Sequence, residues 1–223
     1  MMMMDLDPPQ DQDTEMGNSD VHNIILSYLV HNSFKGTAES FIASTGMKKP
    51  AGYCLEDMEK RKRICNFIIE GSVLKAIEQT EQLAPDILEK NMDLHFDLLG
   101  LHFVELVSSR RSNEALKFAQ AKLAPFMKAQ SFLQKLEDFL SLLAFDEPEK
   151  SPMFHLLSLE HRQHVADSLN GAILAHENQP RYSVLERLIQ QTTVVRQCLS
   201  EDPASKEGSQ AFCFKDFIKK KSL

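Results

Sequence analysis

Leu94-His95-Phe96-Asp97-Leu98-Leu99-Gly100-Leu101-His102-Phe103-Val104-Glu105-Leu106-Val107 decides how the rest of the chain is read. Ten of the sixteen residues from Met92 to Val107 are large and apolar, and they fall on nearly every face of a 3.6-residue helix. A helix that apolar is wrapped by other helices. It is too short, and too interrupted by His, Asp and Glu, for a membrane span of roughly 20 largely uncharged residues. The stretch therefore reads as the central helix of an all-α core.

Moving outward toward the C-terminus, Arg110-Arg111-Ser112 breaks the chain before a helix marked by Ala115, Leu116, Phe118, Ala119 and Leu123. Ser131 with Gln134 fits a capping box, opening a helix through Phe132, Leu136, Phe139, Leu140 and Leu143. Ser151-Pro152 places Pro at a favoured first helical position. Ser158 is a cap for a helix carrying Val165, Leu169, Ile173 and Leu174, and Ser183 with Glu186 forms another box before Leu185, Leu188, Ile189, Val194, Val195 and Leu199.

Toward the N-terminus, Ile87 and Leu88 sit on a brief turn, and Pro85 stops a helix that Ser72 caps and that carries Leu74, Ile77 and Leu83. Before it, a helix over about 55–70 buries Ile64, Phe67 and Ile68 and ends at Gly71. Residues 47–53, with Pro50 and Gly52, read as a linker. Two short helices precede it, one carrying Val21, Ile24, Ile25, Tyr28 and Leu29 after a cap at Asn18 or Ser19, the other carrying Ala38, Phe41 and Ile42 before Gly46. No segment alternates with period two for long enough to make a strand, so the fold class is all-α with about nine helices.

The early helical hairpin, Val21 to Ile42, is too small to be stable alone and leaves an apolar face that must meet something. Six such side chains, at roughly 1.5–3 kcal/mol each, supply enough gross burial to support association. The expected contact residues of the hairpin are Ile25, Tyr28, Leu29, Phe34, Ala38 and Phe41.

Composition narrows the remaining classes. The formal charge of −7 is concentrated in Asp5, Asp7, Asp11, Asp13, Glu15 and Asp20, leaving a remainder near −1 with no basic face for nucleic acid. Residues 1–18 are expected to be a disordered acidic tail, and 201–223 a polar, basic one. Cys54, Cys65, Cys198 and Cys213 are too scattered for a zinc knuckle or redox pair and read as reduced thiols. With neither a secretory signal nor a membrane segment evident, a soluble cytoplasmic and nuclear protein is expected.

Candidates for chemistry are weak. His155, His161 and His164 lie near Glu160, and His95 and His102 near Glu105, but neither set has metal-ligand spacing, and no metal or cofactor is expected. Ser72-Val73-Leu74-Lys75 has the serine and lysine spacing of penicillin-recognising enzymes without their companion motifs. No nucleophile and base pair emerges, so no enzymatic activity is expected.

Taken together, these residues resemble the LisH, CTLH and CRA domain family. Ile25, Tyr28, Leu29, Phe34, Thr37, Ala38, Phe41 and Gly46 match the LisH pattern, with Ser44 standing where the family usually has Glu. Arg63, Ile64, Ile69, Gly71, Ala76, Ile77, Leu94, Phe96, Leu98, Glu105, Leu106, Glu114, Ala115 and Phe118 are similar to the CTLH pattern. Leu140-Ser141-Leu142-Leu143-Ala144-Phe145, Ser151-Pro152 and the helix from Arg162 to Leu174 resemble the CRA segment. The resemblance implies LisH at 19–46, CTLH at 53–118 and CRA at 119–200. It also places Leu94 to Val107 inside the CTLH module, which implies that part of this helix is intermolecular, with Leu98, Leu101, Phe103 and Leu106 as the expected contact residues. Short members with LisH near the start and neither SPRY nor RING resemble the scaffold subunits of GID/CTLH ubiquitin ligases. The partners so implied are the family's RING-bearing and Ran-binding-protein-like subunits, in homo- or hetero-oligomers, with no nucleic acid or membrane. The alternative is a corepressor-type LisH and CTLH module that binds short apolar repression peptides.

Overall fold

The computed structural model describes residues 17–49 and 54–201. Most of the acidic tail, the middle of the Pro50 linker, Cys213 and the C-terminal tail lie outside the described residues. Ten α-helices and no strand are present among them. They are α1 (Asn18–His31), α2 (Lys35–Thr45), α3 (Leu55–Ile69), α4 (Val73–Leu83), α5 (Ile87–Lys90), α6 (Met92–Ser108), α7 (Ser112–Phe118), α8 (Gln130–Ser141), α9 (Leu159–His176) and α10 (Val184–Glu201). A π turn at Ala119–Leu123 and a 3-10 turn at Ala124–Lys128 extend α7, and three more short 3-10 turns lie between α8 and α9.

The central stretch forms α6, and its unusual apolarity has a specific cause: two cores meet on it. Leu94, Leu98 and Leu101 face a core shared with Ile64 and Ile68 of α3, Val73 and Ala76 of α4, and Val165, Leu169 and Ile173 of α9. Phe96, Leu99, Phe103, Val104, Leu106 and Val107 face a second core with Ala115, Leu123, Phe132, Leu136 and Phe139. A helix sandwiched in this way has no long solvent face on which to carry polar residues. Its few charged side chains emerge at the seams, where Asp97 accepts from Lys135 of α8 at 2.8 Å.

Only some of the expected local signals are realised in the structure. Ser158 does cap α9, its hydroxyl accepting the His161 N–H at 3.0 Å, and Gly71 ends α3 with φ +84°. Ser72 precedes α4, but its side chain makes no cap hydrogen bond. Gly17, not Asn18 or Ser19, precedes α1, and the Asp20 carboxylate accepts its N–H. Nor does the Ser131 and Gln134 box form, because α8 starts at Gln130 and Gln134 instead donates to Asp138. Pro152 lies in a turn rather than at a helix start, with the Ser151 hydroxyl accepting from the Met153 N–H. The buried stripe of α4 is Val73, Ala76 and Thr80, leaving Leu74 nearly half exposed.

The described residues up to Ser183 form one compact unit, and α10 belongs to a second. Within α10 the Thr192 and Thr193 hydroxyls donate back to the Leu188 and Ile189 carbonyls, which satisfies these polar groups inside the helix itself. No helix among the described residues is long and apolar enough to cross a membrane.

Candidate protein-interaction surface

The hairpin of α1 and α2 closes on a small core of Leu26, Leu29 and Ala38, with Tyr28, Phe41 and Ile42 packed partly buried around it. Asn32 and Ser33 make the turn; Ser33 takes φ +57°, and the Phe34 N–H then reaches the Leu29 carbonyl at 2.9 Å. A left-handed residue just past the helix end is the usual way to reverse the chain and satisfy terminal carbonyls. Gly46, at φ +68°, stops α2 in the same manner.

Three apolar side chains of this hairpin stay in solvent: Val21 at 40%, Ile25 at 38% and Phe34 at 44% exposure. Val21, Ile25 and Tyr28 are spaced to share one face of α1, and the Tyr28 ring lies 6.2 Å from that of Phe34. The result is a continuous apolar strip from Val21 to Phe34. Of the hairpin residues expected at a contact, Ile25 and Phe34 are on this strip, Tyr28 and Phe41 are half-buried, and Leu29 and Ala38 are consumed by the hairpin's own core.

The four central-helix residues are placed differently. Leu98 and Phe103 are 0% exposed, Leu101 2% and Leu106 6%. Their partners are other helices of the same chain, so the intermolecular share expected for α6 is not needed to explain its composition. A second exposed apolar surface lies on α10, where Leu188, Ile189, Val194 and Val195 are all at least 41% exposed.

The two histidines of α6 pack against aromatic rings. The His95 ring meets Phe126 edge-on at 5.4 Å, and burial pulls its pKa below the ordinary histidine value. His102 packs on Phe118 at 4.8 Å and lies 3.6 Å from the Glu105 carboxylate. His155, His161 and His164 line one open cleft with Glu160 and Asp167. Among the described residues no group of three His, Cys, Asp or Glu is placed to hold a metal ion.

Cys65 is enclosed by α9, its thiol 3.8 Å from the Ala166 carbonyl, and burial pushes its pKa up to about 11. Because the thiolate is the reacting species, alkylation by iodoacetamide at pH 8 is expected to modify exposed Cys54 and Cys198 at least ~10-fold faster than Cys65. Peptide mass mapping over time checks this, and equal rates would contradict the burial.

Two polar residues that the sequence reading passed over join the hairpin to the helices behind it. Arg61 of α3 is 3% exposed and Asn170 of α9 is 6% exposed. Arg61 Nη1 donates to the His31 carbonyl at 2.9 Å and to Asn170 Oδ1 at 2.6 Å, while its Nη2 donates to the Val30 carbonyl at 3.2 Å. Asn170 Nδ2 donates to the same His31 carbonyl at 3.0 Å. A signal did exist: Met58, Arg61, Ile64 and Ile68 keep helical spacing, so a cation stands in phase with the buried stripe of α3. At the edge of this contact, Lys35 of α2 pairs with Glu59 of α3 at 2.6 Å.

With this architecture in view, comparison with known proteins gives its class. The model of the CTLH/CRA domain C-terminal to the LisH motif matches residues 57–200, and the chain belongs to this CTLH family as a GID8-like LisH/CTLH protein. The glucose-induced degradation protein 8 homolog of Nematostella vectensis is 33% identical over 175 residues, 77% of each chain. GID complex subunit 8 of Schizosaccharomyces pombe is 31% identical over 221 residues, covering 94% of this chain and 90% of the relative. The Ran-binding protein M homolog of Arabidopsis thaliana is 25% identical over 211 residues, covering 86% of this chain but 45% of the relative.

Proposed function

We propose that this chain is a non-catalytic scaffold subunit of a GID/CTLH-type ubiquitin ligase, working in the cytoplasm and nucleus. The observation that carries the reading is the match along nearly the whole length of both chains to a relative named as a GID complex subunit. The exposed strip of Val21, Ile25 and Phe34 supplies a physical means of assembly, since an apolar strip on an otherwise folded hairpin is stabilised by being covered. Its partners are other LisH and CTLH proteins: a second copy, a RING-bearing subunit that recruits the ubiquitin-charged enzyme, or a Ran-binding-protein-like subunit.

Capture from a mixture of the tagged chain with separately purified RING-bearing and Ran-binding-protein-like CTLH subunits tests this function. Recovery of at least one of them in a fixed ratio is the expected result. Recovery of neither, or capture instead of a short apolar repression peptide, overturns it. Ile25→Asp with Phe34→Asp changes only exposed side chains, so helical content is expected to stay the same while association weakens at least ~10-fold, as the loss of one buried apolar side chain implies. Titration of the variant against the captured subunit, with circular dichroism alongside, measures both.

A further inference from the structure

We propose that Arg61 and Asn170 are positioning residues that hold the α1–α2 hairpin in one direction on the α3 and α9 helices, so that the chain presents its exposed apolar strip at a fixed angle to the rest of the body. This goes a step beyond the scaffold reading and rests on it for its biological consequence, although the contact stands on its own geometry.

The contact is chemically unusual. Arg61 is buried, yet among the described residues no carboxylate lies within ion-pair distance of it; Glu177 and Asp57 act on it only as longer-range charges. Its direct partners are the Val30 and His31 carbonyls, at the end of α1, where the helix dipole concentrates negative partial charge. Asn170 links the other side, accepting from Arg61 while donating to His31. Three helices thus meet through one guanidinium and one amide.

Stability alone is a poor reason for this arrangement. Burying a cation without a carboxylate costs desolvation that apolar packing would avoid, and Arg61 Nε is buried with no hydrogen-bond partner among the described residues. What a planar fork supplies is direction: two carbonyls at the end of one helix are engaged at once by donors held at fixed angles. An apolar contact of the same size would let the hairpin slide or rotate. Lysine offers a point charge and cannot span both carbonyls in the same fixed geometry.

Double electron–electron resonance on the full chain tests this directly, with nitroxides attached through ketone-bearing residues at positions 39 on α2 and 90 at the end of α5. Both Glu39 and Lys90 are exposed, and dilution with excess unlabelled chain removes distances between copies. The wild type is expected to give one narrow distance distribution. R61M, R61K and N170A are expected to widen it at least twofold while melting cooperatively and keeping wild-type helical content. If R61M does not fold, R61K and N170A decide the matter. A wild type that is already broad, a folded variant set with wild-type width, or loss of cooperative melting in all three overturns the proposal, the last because the contact is then a stability element. Light scattering on the same samples separates the two readings. A wild type that is monomeric and takes up no partner subunit sinks the scaffold function, whereas the distance widths alone decide positioning.

Discussion

Gly100→Leu is expected to abolish cooperative thermal unfolding, the largest effect of any single change in this chain. Gly100 is buried in the middle of α6, where glycine costs about 1 kcal/mol relative to alanine through lost helix propensity. It is kept there because the Phe139 ring of α8 lies against its α-carbon, so closely that any added β-carbon overlaps the ring. Phe139 is itself 4% exposed and packed near Phe96 and Phe103, so it has no empty space to enter. Even Gly100→Ala is expected to destabilise, because overpacking at about 1–3 kcal/mol outweighs the propensity gain. A thermal melt followed by circular dichroism reads the sign. A raised midpoint for Gly100→Ala would mean that α8 does not sit where the second core requires it, and partial rescue by Phe139→Leu is expected if it does.

The second large effect falls on Phe96. Its ring is 0% exposed and stands 5.0 Å from Phe132, 5.5 Å from Phe126 and 6.0 Å from Phe139. Phe96→Ala removes the shared member of this aromatic group and leaves a cavity between rigid helices, an expected loss of about 3–5 kcal/mol. The matched control is Leu74→Ala. Leu74 belongs to the apolar stripe that sequence spacing assigns to α4, yet it is 47% exposed, and a change of under about 0.5 kcal/mol is expected. Urea unfolding of the two variants measures the contrast, and a comparable loss for both would contradict the packing of α4.

These two helices show what sequence reveals here and what it leaves hidden. The density of apolar residues in α6 is a property of one segment, and it identifies a central helix without knowledge of its neighbours. That the apolar faces of α6 meet two separate cores depends on α8 and α9, which arrive from dozens of residues away. Spacing alone does not distinguish a second intramolecular core from a partner, which is why Leu98, Leu101, Phe103 and Leu106 read as candidates for a contact. In α4 Ile77 does pack against both cores, and the error is confined to Leu74: Ala76 and Thr80 are buried but carry too little hydrophobicity to outweigh it in a pattern. Ser131 and Gln134 match a capping signature, but the hydrogen bonds of α8 begin two residues earlier, at Ala129, which has no side-chain oxygen to offer.

The hairpin surface is the reverse case. Ile25 and Phe34 were legible because a two-helix hairpin is too small to bury every apolar residue it carries, and both remain in solvent in the folded chain. The means by which the hairpin is held was not legible. Arg61 sits in the charged run Glu59-Lys60-Arg61-Lys62-Arg63, and its partners are backbone carbonyls, which leave no mark in a sequence. Helical phase with Met58, Ile64 and Ile68 marks this one cation of the run as inward-facing, but what it holds shows only in the fold.

In the proposed function the exposed strip of the hairpin drives assembly while the helical body remains folded. Multi-angle light scattering of the full chain, wild type against Ile25→Asp with Phe34→Asp, tests it most directly. A wild-type mass above the 25.4 kDa of one chain and a folded variant at the mass of one chain are expected. Equal masses for the two proteins, both fully helical and both recovering the same partner subunits, would contradict it.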